Sequence, residues 1–103
     1  MFAIGNIMRP SLILKNNIEK VKVALAGSCA LNPRVFGSVS RGEDIDGSDL
    51  DILIDTKSDT SLLDIIGLQL DLENILGIKV DIVTENSLHK RIKANVLSEA
   101  VGL

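Results

Sequence analysis

The sequence predicts an α+β fold, a small β-sheet flanked by helices, and three observations predict it. Apolar residues recur at helical spacing in three separate stretches, short apolar runs bounded by turn residues fall between them, and the resulting order is helix, strand, strand, helix, strand, helix. With 103 residues and 46% hydrophobic content, the chain has apolar surface for one compact domain, residues 1–103, with 1–9 as an N-terminal extension. Phe2 and Phe36 are its two aromatic residues, so the core must be built from Ile, Leu, Val and Ala.

Pro10 and Ser11 open the first helix, predicted over about 10–27, with Leu14, Ile18, Val21 and Leu25 on its apolar face and Gly27 as its stop. Arg34-Val35-Phe36, between Pro33 and Gly37, reads as a short strand entering a tight turn. The stretch that follows, SVSRGEDIDG, is too polar for core. DLDILID, from Asp49, alternates as a half-buried strand: Leu50, Ile52 and Ile54 share one face, and Asp49, Asp51, Leu53 and Asp55 share the other. Residues 60–76 form a second helix, with Leu63, Ile66, Leu70 and Ile75 near helical spacing, Ser61 and Asp64 placed as a capping box and Gly77 as its stop. IKVDIV, residues 78–83, is a further strand with Ile78, Val80 and Ile82 opposite Lys79, Asp81 and Val83. Asn86 or Ser87 is placed to cap a last helix bearing Leu88, Ile92 and Val96, with His89, Lys90, Arg91 and Lys93 mostly on its wet side.

Composition excludes several functions. A net charge of −3 gives no whole-chain attraction to nucleic acid, and aromatic platforms for stacking bases are missing. Cys29 is the lone cysteine, which rules out an internal disulfide and a cysteine-rich zinc site and reads as a buried, unreactive thiol. No apolar run approaches the ~20 residues of a membrane span, and the first residues lack a basic region followed by a long apolar stretch. A cytoplasmic location is the default expectation.

The chemistry is carried by aspartates. Asp49 and Asp51, two apart on a strand, point to one face with their Cα atoms about 7 Å apart. If the strand of Asp81 pairs alongside, about 4.8 Å away, a third carboxylate joins that face. Unpaired, the three would repel one another. A hard cation relieves that repulsion, and oxygen-only ligands favour magnesium or manganese over zinc. Two such ions about 3.5–4 Å apart bind a triphosphate, sharpen a nucleophilic oxygen and neutralise leaving pyrophosphate. Gly37-Ser38, where a strand ends, supplies a cradle: glycine lets the backbone approach a phosphate, and serine adds a hydroxyl and an N–H. Arg41, followed by Gly42, is a phosphate-pairing cation or a partner of the nearby acids Glu43, Asp44 and Asp46, which with Asp55 read as solvated charges. Ser48 either caps the turn before Asp49 or touches substrate.

GSVSRGEDIDGSDLDILI resembles the nucleotidyltransferase signature of Gly-Ser, ten residues, then Asp-x-Asp, with a later third acid on a strand. Gly37, Ser38, Asp49, Asp51 and Asp81 match its key positions, in a superfamily that includes polymerase beta, kanamycin nucleotidyltransferases and poly(A) polymerases. The resemblance implies a polymerase-beta-type fold, a mixed sheet packed on helices. The short length and the Gly-Ser-x-x-Arg-Gly form resemble the minimal nucleotidyltransferase antitoxins from about residue 10 onward, with Ser40 where the commoner form has Ala; Met1 to Met8 match no part of that pattern. That family implies a HEPN-domain toxin as partner, which several members silence by attaching AMP to a tyrosine; with the carboxylate chemistry above, the expected cofactor is Mg2+, two ions, with ATP as substrate. Asp49, Asp51 and Asp81 are then the metal ligands and catalytic residues, and Gly37, Ser38, Arg41 and Ser48 the nucleotide-binding residues. Two other readings share the residues: an antitoxin that neutralises its toxin by binding alone, and a small-molecule nucleotidyltransferase, which the short chain disfavours. The oligomeric state, self-association included, is not readable from the sequence.

Overall fold

The computed structural model describes residues 8–103, so most of the N-terminal extension and Phe2 lie outside the described residues. The chain runs α1 (Pro10–Asn16), α2 (Ile18–Ala26), β1 (Ala30–Phe36), β2 (Leu50–Thr56), α3 (Leu62–Leu76), β3 (Val80–Thr84), α4 (Lys90–Glu99) and β4 (Val101–Gly102). The fold is α+β, with one mixed four-stranded sheet in the order β3-β2-β1-β4. β1 pairs antiparallel with β2 and β4, while β2 and β3 run parallel across the α3 crossover.

The single helix expected over 10–27 is divided at Asn17. That residue leaves helical geometry at φ −121°, and its side-chain amide donates to the Ile13 carbonyl at 2.9 Å, a local bond that competes with the helical ladder. β1 begins four residues earlier than the short strand read from the sequence. Its register slips between Leu31 and Arg34, where Asn32 sits at φ +48° and Pro33 has no N–H to give to a ladder. α3 has the expected ends: Ser61 and Asp64 exchange capping-box bonds, and Gly77 terminates it at φ +69°.

One face of the sheet carries the main core. Val35, Leu50, Ile52, Ile54, Val80 and Ile82 pack there with Leu14, Val21 and Leu25 from α1 and α2 and with Leu68, Leu72 and Leu76 from α3. The buried stripe of α3 is therefore not the expected Leu63, Ile66 and Leu70, which are exposed together with Leu62; of the expected set only Ile75 packs against the core. α3 is apolar nearly all round, so two stripes satisfy the same period and tertiary packing selects between them.

The opposite face is less open than an alternating strand implies. Leu53 shares that face with Asp51 yet is 0% exposed, and α4 lies on β1 with Val96 buried. α4 starts later than expected: Ser87 lies in a short 3-10 turn and accepts from its own neighbour Thr84, and His89 caps the helix by accepting the Arg91 N–H at 3.1 Å. Leu88 precedes the helix. β4, two residues long, returns the chain against β1 and has no periodicity to betray it. Cys29 is half-buried, not enclosed.

Candidate nucleotide-transfer site

The site forms where β1 ends and β2 and β3 begin. Phe36 pairs with Asp51, and Asp51 pairs with Asp81, so one row of residues runs across three strands. Lateral partners in a sheet point to the same face, which puts Asp51 and Asp81 side by side on the face away from the main core. Asp49, just before β2, is near enough for its charge to act on the Asp51 carboxyl. Asp81 is exposed on the edge strand, while Asp49 and Asp51 are half-buried. Asp51 and Asp81 thus share one side of adjacent strands, with the Asp49 charge close by.

Electrostatics mark Asp51 as the centre. Burial pushes its carboxyl up to about 6, and the negative charges of Asp81, Asp49 and Glu99 add to that, against the opposing pull of Arg41. Gly37 lies directly against the same carboxylate: a Cβ built on Gly37 would collide with Asp51 Oδ2, and the backbone there has φ +74°. Glycine is required twice over, by conformation and by close approach.

Residues 37–42 turn tightly, with the Arg41 N–H donating to the Gly37 carbonyl at 3.2 Å, the Gly42 N–H to Val39 at 3.2 Å and the Glu43 N–H to Ser38 at 2.9 Å. Ser38 is the second residue of this turn, two past the end of β1. Arg41 donates from Nε to Glu43 at 2.8 Å and from Nη1 to Glu99 at 2.8 Å, and these two carboxylates hold its guanidinium charge firmly on. Ser48 closes its own turn, its Oγ accepting the Ile45 N–H at 3.0 Å. A cleft of ≈550 Å³ opens beside Asp49, bounded by Met8, Ile13, Gly47, Ser48 and Lys79. That volume lies within the ~300–1,000 Å³ range of small-ligand sites.

Asp44 corrects a sequence expectation. It is not a solvated loop charge but is 2% exposed, accepting from Arg9 Nη2 at 3.0 Å and from the Ser11 N–H at 2.7 Å. Burial alone would raise its carboxyl; the bonds from Arg9 and Ser11 outweigh that and hold it below the usual range. Arg9 also donates to the Gly42 carbonyl, so the acid ties the site loop to the start of α1. Asp55, likewise read as a solvated charge, pairs with Arg34 across β1 and β2 at 2.9 Å. Replacing Asp44 with Ala is expected to cost about 3 kcal/mol, since it strands Arg9 and an N–H of α1. Urea unfolding followed by circular dichroism reads this as a lower midpoint; an unchanged midpoint would remove Asp44 from the loop anchor. Because the folded-state carboxyl is depressed, its contribution is full above about pH 4 and is lost as pH falls through the folded value.

Glu99 and Arg9 were not visible in the sequence as parts of this region. Each acts over more than thirty residues of separation, and neither belongs to a motif.

The donor set fits magnesium. Among the described residues no three acidic, His or Cys side chains are gathered closely enough to cage a metal by themselves. Magnesium commonly takes one or two carboxylates and completes its shell with water and substrate phosphates, and the Asp51 and Asp81 carboxylates, side by side on adjacent strands, are the donors it would use.

Comparison with known proteins agrees with this fold. Residues 34–103 match the nucleotidyltransferase domain model. A solved structure described as a "putative minimal nucleotidyltransferase" superposes with a TM-score of 0.80 at 43% identity, covering 90% of this chain and 95% of that one. A "putative protein adenylyltransferase" from Methanocaldococcus jannaschii is 45% identical over 69 residues, 67% of this chain and 74% of the relative. The protein adenylyltransferase MntA of Thermococcus cleftensis is 48% identical over 67 residues, 65% of this chain and 68% of its own. The chain belongs to the nucleotidyltransferase domain family and, within its polymerase-beta-like members, to the minimal nucleotidyltransferases. It is by that membership a nucleotidyltransferase.

Proposed function

We propose that this protein transfers AMP from ATP, with Mg2+, to a tyrosine hydroxyl of a HEPN-domain toxin, and thereby acts as that toxin's antitoxin in the cytoplasm. The observation that carries the reading is the packing of the Gly37 backbone against the Asp51 carboxylate, with Asp51 paired across β2 and β3 to the exposed edge-strand acid Asp81. The names of the curated relatives as protein adenylyltransferases support a protein acceptor. Among the described residues no helix is long and apolar enough to cross a membrane.

In this reading Asp49 and Asp51 would hold Mg2+, with Asp81 as the third ligand. Mg2+ held by these residues would supply positive charge against the triphosphate and the pyrophosphate leaving group. The Gly37 and Ser38 backbone, with Arg41, binds phosphate oxygens, and Ser48 and the cleft beside Asp49 lie next to the nucleotide. Transfer forms a bond from the acceptor oxygen to the α-phosphorus and breaks the bond from that phosphorus to the bridging oxygen, which leaves with pyrophosphate. The hydroxyl proton passes to Asp81, whose edge-strand exposure leaves it open to an incoming protein face. Docking of that face supplies the in-line positioning.

Labelled ATP, magnesium and the toxin, followed by mass measurement of the toxin, test the reaction; an unmodified tyrosine rejects it. Asp81→Asn is expected to lose transfer while largely keeping nucleotide affinity. Equal loss of both would leave Asp81 a ligand with no role as base. Toxicity separates modification from occlusion: an Asp51→Asn protein that still rescues cells while the toxin stays unmodified makes binding the antitoxic act.

A further inference from the structure

Glu99 reaches from the end of α4 into the turn that follows β1. A single oxygen, Oε2, accepts the Gly37 N–H at 2.7 Å and Arg41 Nη1 at 2.8 Å, and Ser40 Oγ lies 3.4 Å away. A backbone N–H and a guanidinium converging on one charged oxygen, with the Ser40 hydroxyl beside them donating to the Gly37 carbonyl at 2.9 Å, form the kind of donor set that binds a phosphate oxygen. Two of those donors, Gly37 and Arg41, are the groups assigned above to the triphosphate.

The residue is held in position. It ends α4, and directly after it β4 pairs with β1 at Arg34 and Val35, while the Leu103 N–H donates to the Pro33 carbonyl at 3.0 Å. An acid at a helix C-terminus faces the negative end of the helix dipole, and the last turn of α4 has no basic residue to offset it. Nothing local to α4 favours a glutamate there; its compensation comes from the cradle. It also brings a further negative charge to a region already holding Asp49, Asp51 and Asp81.

We propose that Glu99 is a built-in competitor of the triphosphate, an internal carboxylate that keeps the cradle formed without nucleotide and must leave Gly37 and Arg41 when a phosphate binds. This rests on the reading of those two residues as phosphate-binding groups, but not on the identity of the acceptor. Nucleotide affinity is then set by an exchange of one oxyanion for another, and removing the charge of Glu99 strengthens binding.

The test titrates magnesium ATP into wild-type protein and the variants Glu99→Gln and Glu99→Ala by calorimetry, with the Gly37 amide followed by NMR. The expected result is a five- to tenfold tighter Kd in both variants. The nucleotide-free Gly37 amide should shift away from its charge-bonded position, and ATP should move it at lower concentration than in wild type. Unchanged or weaker affinity in folded variants would overturn the proposal and leave Glu99 as a positioning residue for Arg41. Failure of wild type and variants alike to bind ATP would overturn it as well, as would unfolding of both variants, since the carboxylate would then be structural. Tighter binding without AMP transfer to the toxin would sustain the competitor and reject only the acceptor reading.

Discussion

Asp51→Asn is expected to lower AMP transfer by about a thousandfold or more, a loss of roughly 4 kcal/mol of transition-state stabilisation, while making the metal-free protein more stable at neutral pH. Both effects come from the same position. Asp51 lies between Gly37 and Asp81, so its carboxylate is central to any metal and phosphate arrangement there, and its raised value of about 6 records the cost of that placement. A carboxyl raised on folding holds its proton more tightly in the folded chain than in the unfolded one. Stability therefore falls as pH climbs from about 4 through 6, and the full penalty stands above 6. Since Asp51 is half-buried and partly screened, relief by Asn is about 1–2 kcal/mol at pH 7.5, or several degrees in Tm. Melts in chelator at pH 4.5 and 7.5 should show the variant steadier only at the higher pH. An identical pH response in wild type and variant would locate the repulsion elsewhere.

The parts of the site legible in the sequence are those fixed by local geometry. Strand parity put Asp49 and Asp51 on one side, and alternation around Asp81 put it on the outer face of its strand; only the parallel pairing of β2 and β3, which requires the α3 crossover, aligns Asp51 with Asp81. Gly37 was legible as a turn residue, but its contact with Asp51 was not, because it depends on β1 and β2 being antiparallel neighbours. Three features were beyond local reading. Asn17 breaks a helix through one side-chain bond that apolar period does not register. α3 offers two apolar stripes, and the sequence has no term for which one meets the sheet. Asp44 and Glu99 look like ordinary surface acids until distant segments deliver Arg9 to one and Gly37 with Arg41 to the other. Charges acquire their roles from partners across the fold, whereas turns and strand faces acquire theirs from neighbours in the chain.

Gly37→Ala is expected to damage stability and transfer together, and the size of each effect depends on Asp51. Adopting φ +74° costs an L-residue about 1–2 kcal/mol, and the new methyl must also displace the Asp51 carboxylate, adding an overpacking cost of about 1–3 kcal/mol. The total of about 3 kcal/mol is a large fraction of what a domain of this size has. Where the protein stays folded, moving the central acid by about an ångström should reduce transfer by about a hundredfold, a loss due to misplacement and not to missing charge. The conformational and steric parts separate in an Asp51→Ala background, which deletes the oxygen that the methyl meets but leaves the backbone angle. There the stability cost of Gly37→Ala should shrink to about 1 kcal/mol, giving a coupling between the two positions of about 2 kcal/mol by double-mutant cycle. Urea denaturation of the four proteins measures it. Additive costs would mean that Gly37 is needed for its backbone angle alone, and the close approach of the turn after β1 to the acid would then have no part in holding Asp51 in place.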